Sequence, residues 1–309
     1  MLVSPVPEIS VVLPTHNRLD RLPRSIGSVL AQRDVELELI VVDDGSTDGT
    51  HAYLQDLASS DPRVRVLRNE AARGAPRARN RGASHARGGW IAFNDDDCVW
   101  EPTKLFLQGE RMRASGAGVV YCREAVFWPG IGEVVQGTGD AERRGAVRSL
   151  TTGNYIGTPG PLIERVLFER VGGFDERLPR LQDWDLWLTL GISTRFAFVG
   201  EVLTRGEHVG GGISSSAGAM IEAARMLLSK WRDDGRLSRR DVARLHYGIG
   251  KFLLGEGLGA DARRVFREGV RVDAGSPINW LGLIGSALPP RQFRVLKRAR
   301  IALRRRRSS

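Results

Sequence analysis

The chain has 309 residues, 41% of them hydrophobic, and a formal net charge of +10. That is enough for one large domain or two ordinary ones with ample core, in the composition range of a soluble globular protein rather than a fibrous or disordered one. Two cysteines, Cys98 and Cys122, exclude a disulfide framework and a thiolate metal site, and no apolar run approaches the ~20 residues that span a bilayer.

The first hundred residues alternate strand and helix signals. Ile9 to Leu13 is a β-rich run ended by Pro14. Asp20 to Gln32 has helical spacing, with Leu22, Ile26, Val29 and Leu30 on one face. Glu38 to Val42 predicts a second strand, closed by Asp43-Asp44-Gly45-Ser46, and Ser46 or Thr47 can cap the helix that follows. Val64 to Leu67 predicts a third strand, Ala75 to Ala86 a helix, and Trp90 to Phe93 a fourth strand that runs into Asp95-Asp96-Asp97. This order implies an α/β fold with a mostly parallel sheet and helices on both faces.

Residues 100 to 215 read as irregular, with a loop signal over Thr151 to Pro161 and a helical stretch over Leu181 to Leu188. Gly210-Gly211-Gly212 and Ser214-Ser215-Ser216 suggest a boundary, giving domains 1–215 and 216–309. The second is expected to be all-α, with helices over Ala219 to Trp231, Ser238 to Leu254 and Ala260 to Val272, the last two forming a hairpin. A final helix from Arg291 to Arg307 sets Phe293, Leu296, Ala299 and Leu303 on one side and arginines around the rest. It can lie on an anionic membrane surface or pack on its own domain.

The carboxylate triplet carries the chemistry. Two unit charges 4 Å apart repel by roughly 1 kcal/mol in water and about 4 at a protein-like effective dielectric. A divalent cation relieves that repulsion, and hard oxygen ligands suit Mg²⁺ or Mn²⁺, which share their shell with phosphates. A solvated acidic turn is the alternative. Ligands of open α/β sheets bind beyond the carboxyl ends of the strands. Pro14 to Arg18, Asp43 to Asp48 and Asn94 to Asp97 all fall at such ends.

Together, Val12-Leu13-Pro14-Thr15-His16-Asn17-Arg18, Val41-Val42-Asp43-Asp44-Gly45-Ser46-Thr47-Asp48, Gly74 to Gly82, the DxD-type Asp95-Asp96-Asp97 and Gln182-Asp183 resemble family 2 glycosyltransferases of the GT-A fold over residues 8 to 215. The resemblance implies an inverting transfer of a sugar from a nucleotide-diphospho-sugar, expected to be a UDP-sugar, to an acceptor hydroxyl. It implies that Pro14, Thr15, Asn17 and Asp44 line the base pocket and that Arg79 faces the base or phosphates. It also implies that Asp96 meets the ribose, that Asp95 completes the motif, and that Asp97 holds Mn²⁺ or Mg²⁺ with His208 as a second metal ligand. Asp183 would be the general base, and Asp175 and Trp184 would lie on the acceptor side.

Gln182 stands where the family often has Glu, and Cys98 where it often has Asp. The acceptor is expected to be a cell-surface polysaccharide or a lipid-linked glycan. The location is expected to be cytoplasmic, peripheral on the inner membrane face, with no nucleic-acid partner. A sugar-phosphate nucleotidyltransferase and a degenerate sugar-nucleotide-binding module remain as alternatives.

Overall fold

The computed structural model describes residues 7–207 and 216–287. The described residues form two compact units. The first takes in residues 7–139, 156–176 and 193–207, and the second residues 140–155, 177–192 and 216–287. A single cut between 215 and 216 therefore does not divide the chain. Two internal segments pack with the C-terminal helices because they carry apolar faces, such as Trp184 and Trp187, that need a core to enter.

The first unit is built on one sheet, whose strands run β3-β2-β1-β4-β8-β6-β9-β5 with β7 added on β6. At its centre, β1 (Ile9–Thr15), β2 (Leu37–Asp43), β3 (Val64–Arg68) and β4 (Trp90–Phe93) are mutually parallel. Every residue of β1 and β2 is buried, as parallel strands covered on both faces require. Their links carry α1 (Leu22–Leu30), α2 (Thr50–Ser60) and α3 (Ala75–Ala83). Gly82 lets α3 approach β1 closely, since a Cβ there would come within 2.4 Å of Val12 Cγ1.

The stretch that read as irregular holds the rest of the sheet. After β5 (Cys98–Trp100), which leads into it, it contributes β6 (Val119–Trp128), β7 (Gly132–Gln136), β8 (Leu162–Glu164) and β9 (Phe196–Glu207). It also supplies α4 (Lys104–Ser115), α5 (Asp140–Arg144), α6 (Ala146–Leu150), α7 (Arg165–Arg170) and α8 (Gln182–Ser193). β6 shows no alternation because its register against β9 shifts on both sides of Arg123.

The second unit adds α9 (Ala217–Asp233), α10 (Arg239–Gly255), α11 (Gly259–Val272) and α12 (Pro277–Gly285). α10 and α11 meet where the Phe266 ring lies against Gly250 and meets the Tyr247 ring at a tilt, centroids 6.1 Å apart. His208 and the helix expected over 291 to 307 lie outside the described residues.

A lysine sits inside the first unit. Lys104 is fully buried, with Nζ 4.0 Å above the Trp100 ring, and it donates to Gln108 Oε1 at 2.8 Å. Gln108 in turn donates to the carbonyls of Val120 and Gly160. Burial lowers the Lys104 pKa to about 8, against the opposing pull of Cys122 and Glu124. The ammonium therefore costs folding stability in full below that value. The cost fades as pH rises from the folded pKa towards the usual lysine value. Relative to Lys104→Met, the wild type should gain roughly 2–3 kcal/mol between about pH 7 and about pH 10. Denaturant unfolding of the two proteins across that range checks this, and a constant difference would contradict it.

Candidate functional site

The rim of the first unit begins where the central ladder stops. Val12 and Phe93 are the last pair of β1 and β4, and Asn94 N donates to Val12 O. Two residues on, Pro14 faces the same way and has no N–H to extend the ladder. The chain beyond β4 is thus free to turn, and Asp95, Asp96 and Asp97 form the link to β5. The fully buried Asn94 braces that link by donating Nδ2 to Cys98 O.

Side-chain-to-backbone bonds hold the neighbouring loops. Asn17 adopts a left-handed backbone, φ +52°, which Asn tolerates better than most residues. Its N–H donates to Ser46 Oγ, and its Oδ1 accepts from Thr47 N at 2.8 Å. Asn17 was expected to line the base pocket. Its exposed side chain bonds to Thr47 and His16, which fixes it at the rim.

Asp44 is also committed. Its buried carboxylate accepts from Asn69 Nδ2 and from the backbone N–H groups of Arg73 and Gly74, and so it holds the loop before α3. Gly45 permits this approach, since at φ +80° a Cβ would lie 2.9 Å from the backbone of Ala71 and Ala72.

Arg79 projects from α3 to the triplet. It is 5% exposed, and its Nη2 donates to Asp95 Oδ1. Its guanidinium lies 5.5 Å from the Phe174 ring centroid, and that ring meets Phe93 edge-on at 5.0 Å. Nε and Nη1 of Arg79 are buried without a hydrogen-bond partner among the described residues. Asn80 clamps the supporting segment by donating to Phe174 O and accepting from Phe174 N.

Burial pushes the Asp96 carboxyl up to about 6; the charges of Asp97 and Asp95 add to the rise, while the Thr15 hydroxyl and Arg18 oppose it. Burial, with the charge of Asp95, also raises Asp97. Arg18, Asn94 and Phe174 were not expected as site residues. Arg18 and Asn94 fall within rim segments that the sequence picks out without a role for them, and Phe174 is revealed by its contact with Arg79 across the fold.

No group of three or more His, Cys, Asp or Glu among the described residues is arranged to hold a metal ion. The donor set nevertheless fits a divalent cation of the Mg²⁺ type. Such an ion takes one or two carboxylates and fills its shell with phosphate oxygens and water. Asp97 and its neighbours offer crowded, desolvated hard oxygens of that kind.

In the second unit, Leu181 at φ +61° sets the start of α8, and Gln182 and Asp183 lie in its first turn. Asp183 Oδ2 accepts from Asn154 Nδ2 at 3.0 Å, and Oδ1 accepts from Trp184 N. Asp185 accepts from Lys230 Nζ and Trp231 Nε1, tying α8 to α9. Trp184 was expected on the acceptor side. It is 1% exposed, donates Nε1 to Leu150 O and meets Phe252 edge-on, so its ring is core and no face is open to a sugar. Asp175 lies half-buried in the loop after α7, in the first unit.

The model of the family "Glycosyl transferase family 2" matches residues 10–156. The Escherichia coli protein WfgD, a UDP-Glc:alpha-D-GlcNAc-diphosphoundecaprenol beta-1,3-glucosyltransferase, is 30% identical over 184 residues, covering 59% of this chain and 69% of that protein. The chain belongs to glycosyl transferase family 2. The succinoglycan biosynthesis protein ExoO of Rhizobium meliloti is 41% identical over 117 residues, 38% of this chain and 33% of ExoO. The putative teichuronic acid biosynthesis glycosyltransferase TuaG of Bacillus subtilis is 41% identical over 106 residues, 34% of this chain and 42% of TuaG. The chain thus spans 33% of ExoO, 42% of TuaG and 69% of WfgD.

Among solved structures, S. aureus TarS 1-349 in complex with UDP-GlcNAc aligns with a TM-score of 0.67 at 16% identity, over 90% of this chain and 89% of that one. The mannosyltransferase PcManGT of Pyrobaculum calidifontis, in complex with GDP-Man and Mn²⁺, aligns with a TM-score of 0.63 at 20% identity, over 97% and 86%. The fold is GT-A with added C-terminal helices.

Replacing Asp44 by Asn puts an amide N–H₂ where a carboxylate oxygen accepted, facing donors it cannot pair with. Loss of charge-assisted bonds of this kind costs about 1.5–3 kcal/mol. Amide exchange at Arg73 and Gly74 should therefore quicken by about 10- to 100-fold in Asp44→Asn, with the amides of α10 unaffected. Unchanged exchange at Arg73 and Gly74 would contradict the anchoring role.

Proposed function

We propose that the protein is an inverting glycosyltransferase that moves a sugar from a UDP-sugar to an acceptor hydroxyl. The observation that carries this reading is Arg79, a buried guanidinium with two unpartnered nitrogens beside three carboxylates, two of which, Asp96 and Asp97, are raised by burial. A buried N–H group without a partner costs about 1–3 kcal/mol, and a diphosphate oxygen would supply that partner. Family membership excludes the nucleotidyltransferase alternative.

In this reading the base lies against Pro14, Thr15 and the loop that Asp44 holds, and Asp96 accepts from a ribose hydroxyl. Arg79 donates Nε and Nη1 to the diphosphate, while its bond to Asp95 fixes the guanidinium plane. Asp97 would hold Mn²⁺ or Mg²⁺, which supplies positive charge to the diphosphate as it leaves. The Mn²⁺ in the PcManGT complex supports such an ion. Asp183 accepts the proton of the acceptor hydroxyl as that oxygen bonds to the anomeric carbon and the bond from carbon to diphosphate oxygen breaks. Asn154 and the first turn of α8 orient and stabilise the Asp183 carboxylate for that role. Asp175 contacts the acceptor.

The acceptor class we propose is a cell-surface polysaccharide or a lipid-linked glycan. The names of ExoO, TuaG and WfgD support it, since they specify succinoglycan biosynthesis, teichuronic acid biosynthesis and a diphosphoundecaprenol acceptor.

A panel of nucleotide-sugars with Mn²⁺ or Mg²⁺, read by released nucleoside diphosphate, should single out a UDP-sugar. With that donor and its acceptor, Asp183→Asn should lower kcat by about 10²- to 10⁴-fold with little change in donor KM. A wild-type rate in Asp183→Asn would remove it as the base. Absence of turnover with every donor would favour a sugar-nucleotide-binding module.

A further inference from the structure

The chain's net charge is confined to one end. Residues 1–258 hold 33 basic and 33 acidic side chains, whereas residues 259–309 hold 13 basic and 3 acidic. The whole excess therefore begins with α11. Residues 288–309 alone contribute nine of those basic groups and no acidic one.

The same region exposes apolar surface. The inner side of α12 is docked: buried Asn279 donates to Ala243 O at 2.7 Å, and Gly282 sits against the Phe266 ring. Arg263 ties down the far end by donating to Ser286 O. The outer side carries Trp280, Leu281 and Ile284, which are 47%, 66% and 67% exposed. Their i, i+1, i+4 spacing gathers them on one stripe of the helix. Single exposed apolar residues are ordinary, but three large ones on a nine-residue helix form a patch. Exposed Arg264, Arg267 and Arg271 lie on α11, which packs beside α12. Trp with flanking basic residues suits the boundary between headgroups and acyl chains. No helix among the described residues is long and apolar enough to cross a membrane.

We propose that this face of α12, with the basic side chains of α11, docks on an anionic lipid surface. Trp280, Leu281 and Ile284 enter the headgroup boundary, and the arginines meet the lipid phosphates. Neither set suffices by itself: three side chains bury little area, and charge alone is screened by salt.

The test is co-sedimentation of the full chain with vesicles of phosphatidylcholine alone or mixed equally with phosphatidylglycerol. The wild type should partition to the mixed vesicles and weakly to the neutral ones, with each basic residue near the surface adding about fivefold. Replacing Trp280, Leu281 and Ile284 together by Ser should lower partition to mixed vesicles by about tenfold or more. Replacing Arg264, Arg267 and Arg271 by Gln should lower it as well, and added salt should do the same. Circular dichroism and donor hydrolysis should match the wild type in both variants, which separates this inference from the catalytic reading.

Equal partition to neutral and anionic vesicles, or wild-type partition of either variant, would overturn the proposal. So would a lipid-free dimer that the Trp280, Leu281 and Ile284 substitutions dissociate, since the face would then be an interface between copies.

Discussion

The site depends on one ion pair, Arg79 with Asp95, set where three carboxylates follow one another at the end of β4. Three adjacent anions at a desolvated strand end repel, and one guanidinium relieves only part of the repulsion. Burial, with the charge of neighbouring carboxylates added, keeps Asp96 and Asp97 raised, and Arg79 stays short of partners. Charge of both signs is left incompletely satisfied within one small space. A ligand that carries oxygen anions for Arg79 and arrives with a cation for the carboxylates satisfies both. That double deficit distinguishes this rim from a structural salt bridge, in which the partners complete each other.

Much of the surrounding structure serves to hold that pair. Phe174 supports the guanidinium from beneath, Phe93 and Phe168 support Phe174, and Asn80 fixes the Phe174 backbone from both sides. Gly82 brings α3 against β1, and this sets how far Arg79 reaches. Asn94 braces the triplet, and Pro14 ends the ladder that would otherwise keep those residues in a strand. Around them, Asn17 and Asp44 use their polar groups on backbone N–H groups of neighbouring loops. The rim is thus fixed by local bonds before any ligand arrives, which limits the entropy lost on binding.

The parts legible in the sequence were those whose signal is local. β1 to β4 and α1 to α3 could be read because buried parallel strands are short apolar runs closed by Asp, Asn and Gly. α9 to α11 could be read from their helical periodicity. β5 to β9 could not, because three-residue strands such as β8 and a bulged one such as β6 carry no clean period. The motif residues were found, but the work of several depends on distant partners. Asn17 is explained by Thr47, Asp44 by Arg73 and Gly74, and Arg79 by Asp95 and Phe174. Trp184 could not be separated from a sugar platform until Leu150 and Phe252 were seen to enclose it. The contribution of 140–155 and 177–192 to the helical unit was hidden for the same reason.

The central claim is that Arg79 and the triplet together bind a nucleoside diphosphate and a divalent cation. Calorimetric titration of UDP into the wild type and Arg79→Gln, each with Mn²⁺ and with EDTA, tests it most directly. The account predicts that Mn²⁺ strengthens binding to the wild type. It also predicts that Arg79→Gln weakens binding by about 10- to 100-fold, as expected for lost hydrogen bonds to a charged group. UDP affinity that is indifferent both to Mn²⁺ and to Arg79→Gln would contradict it.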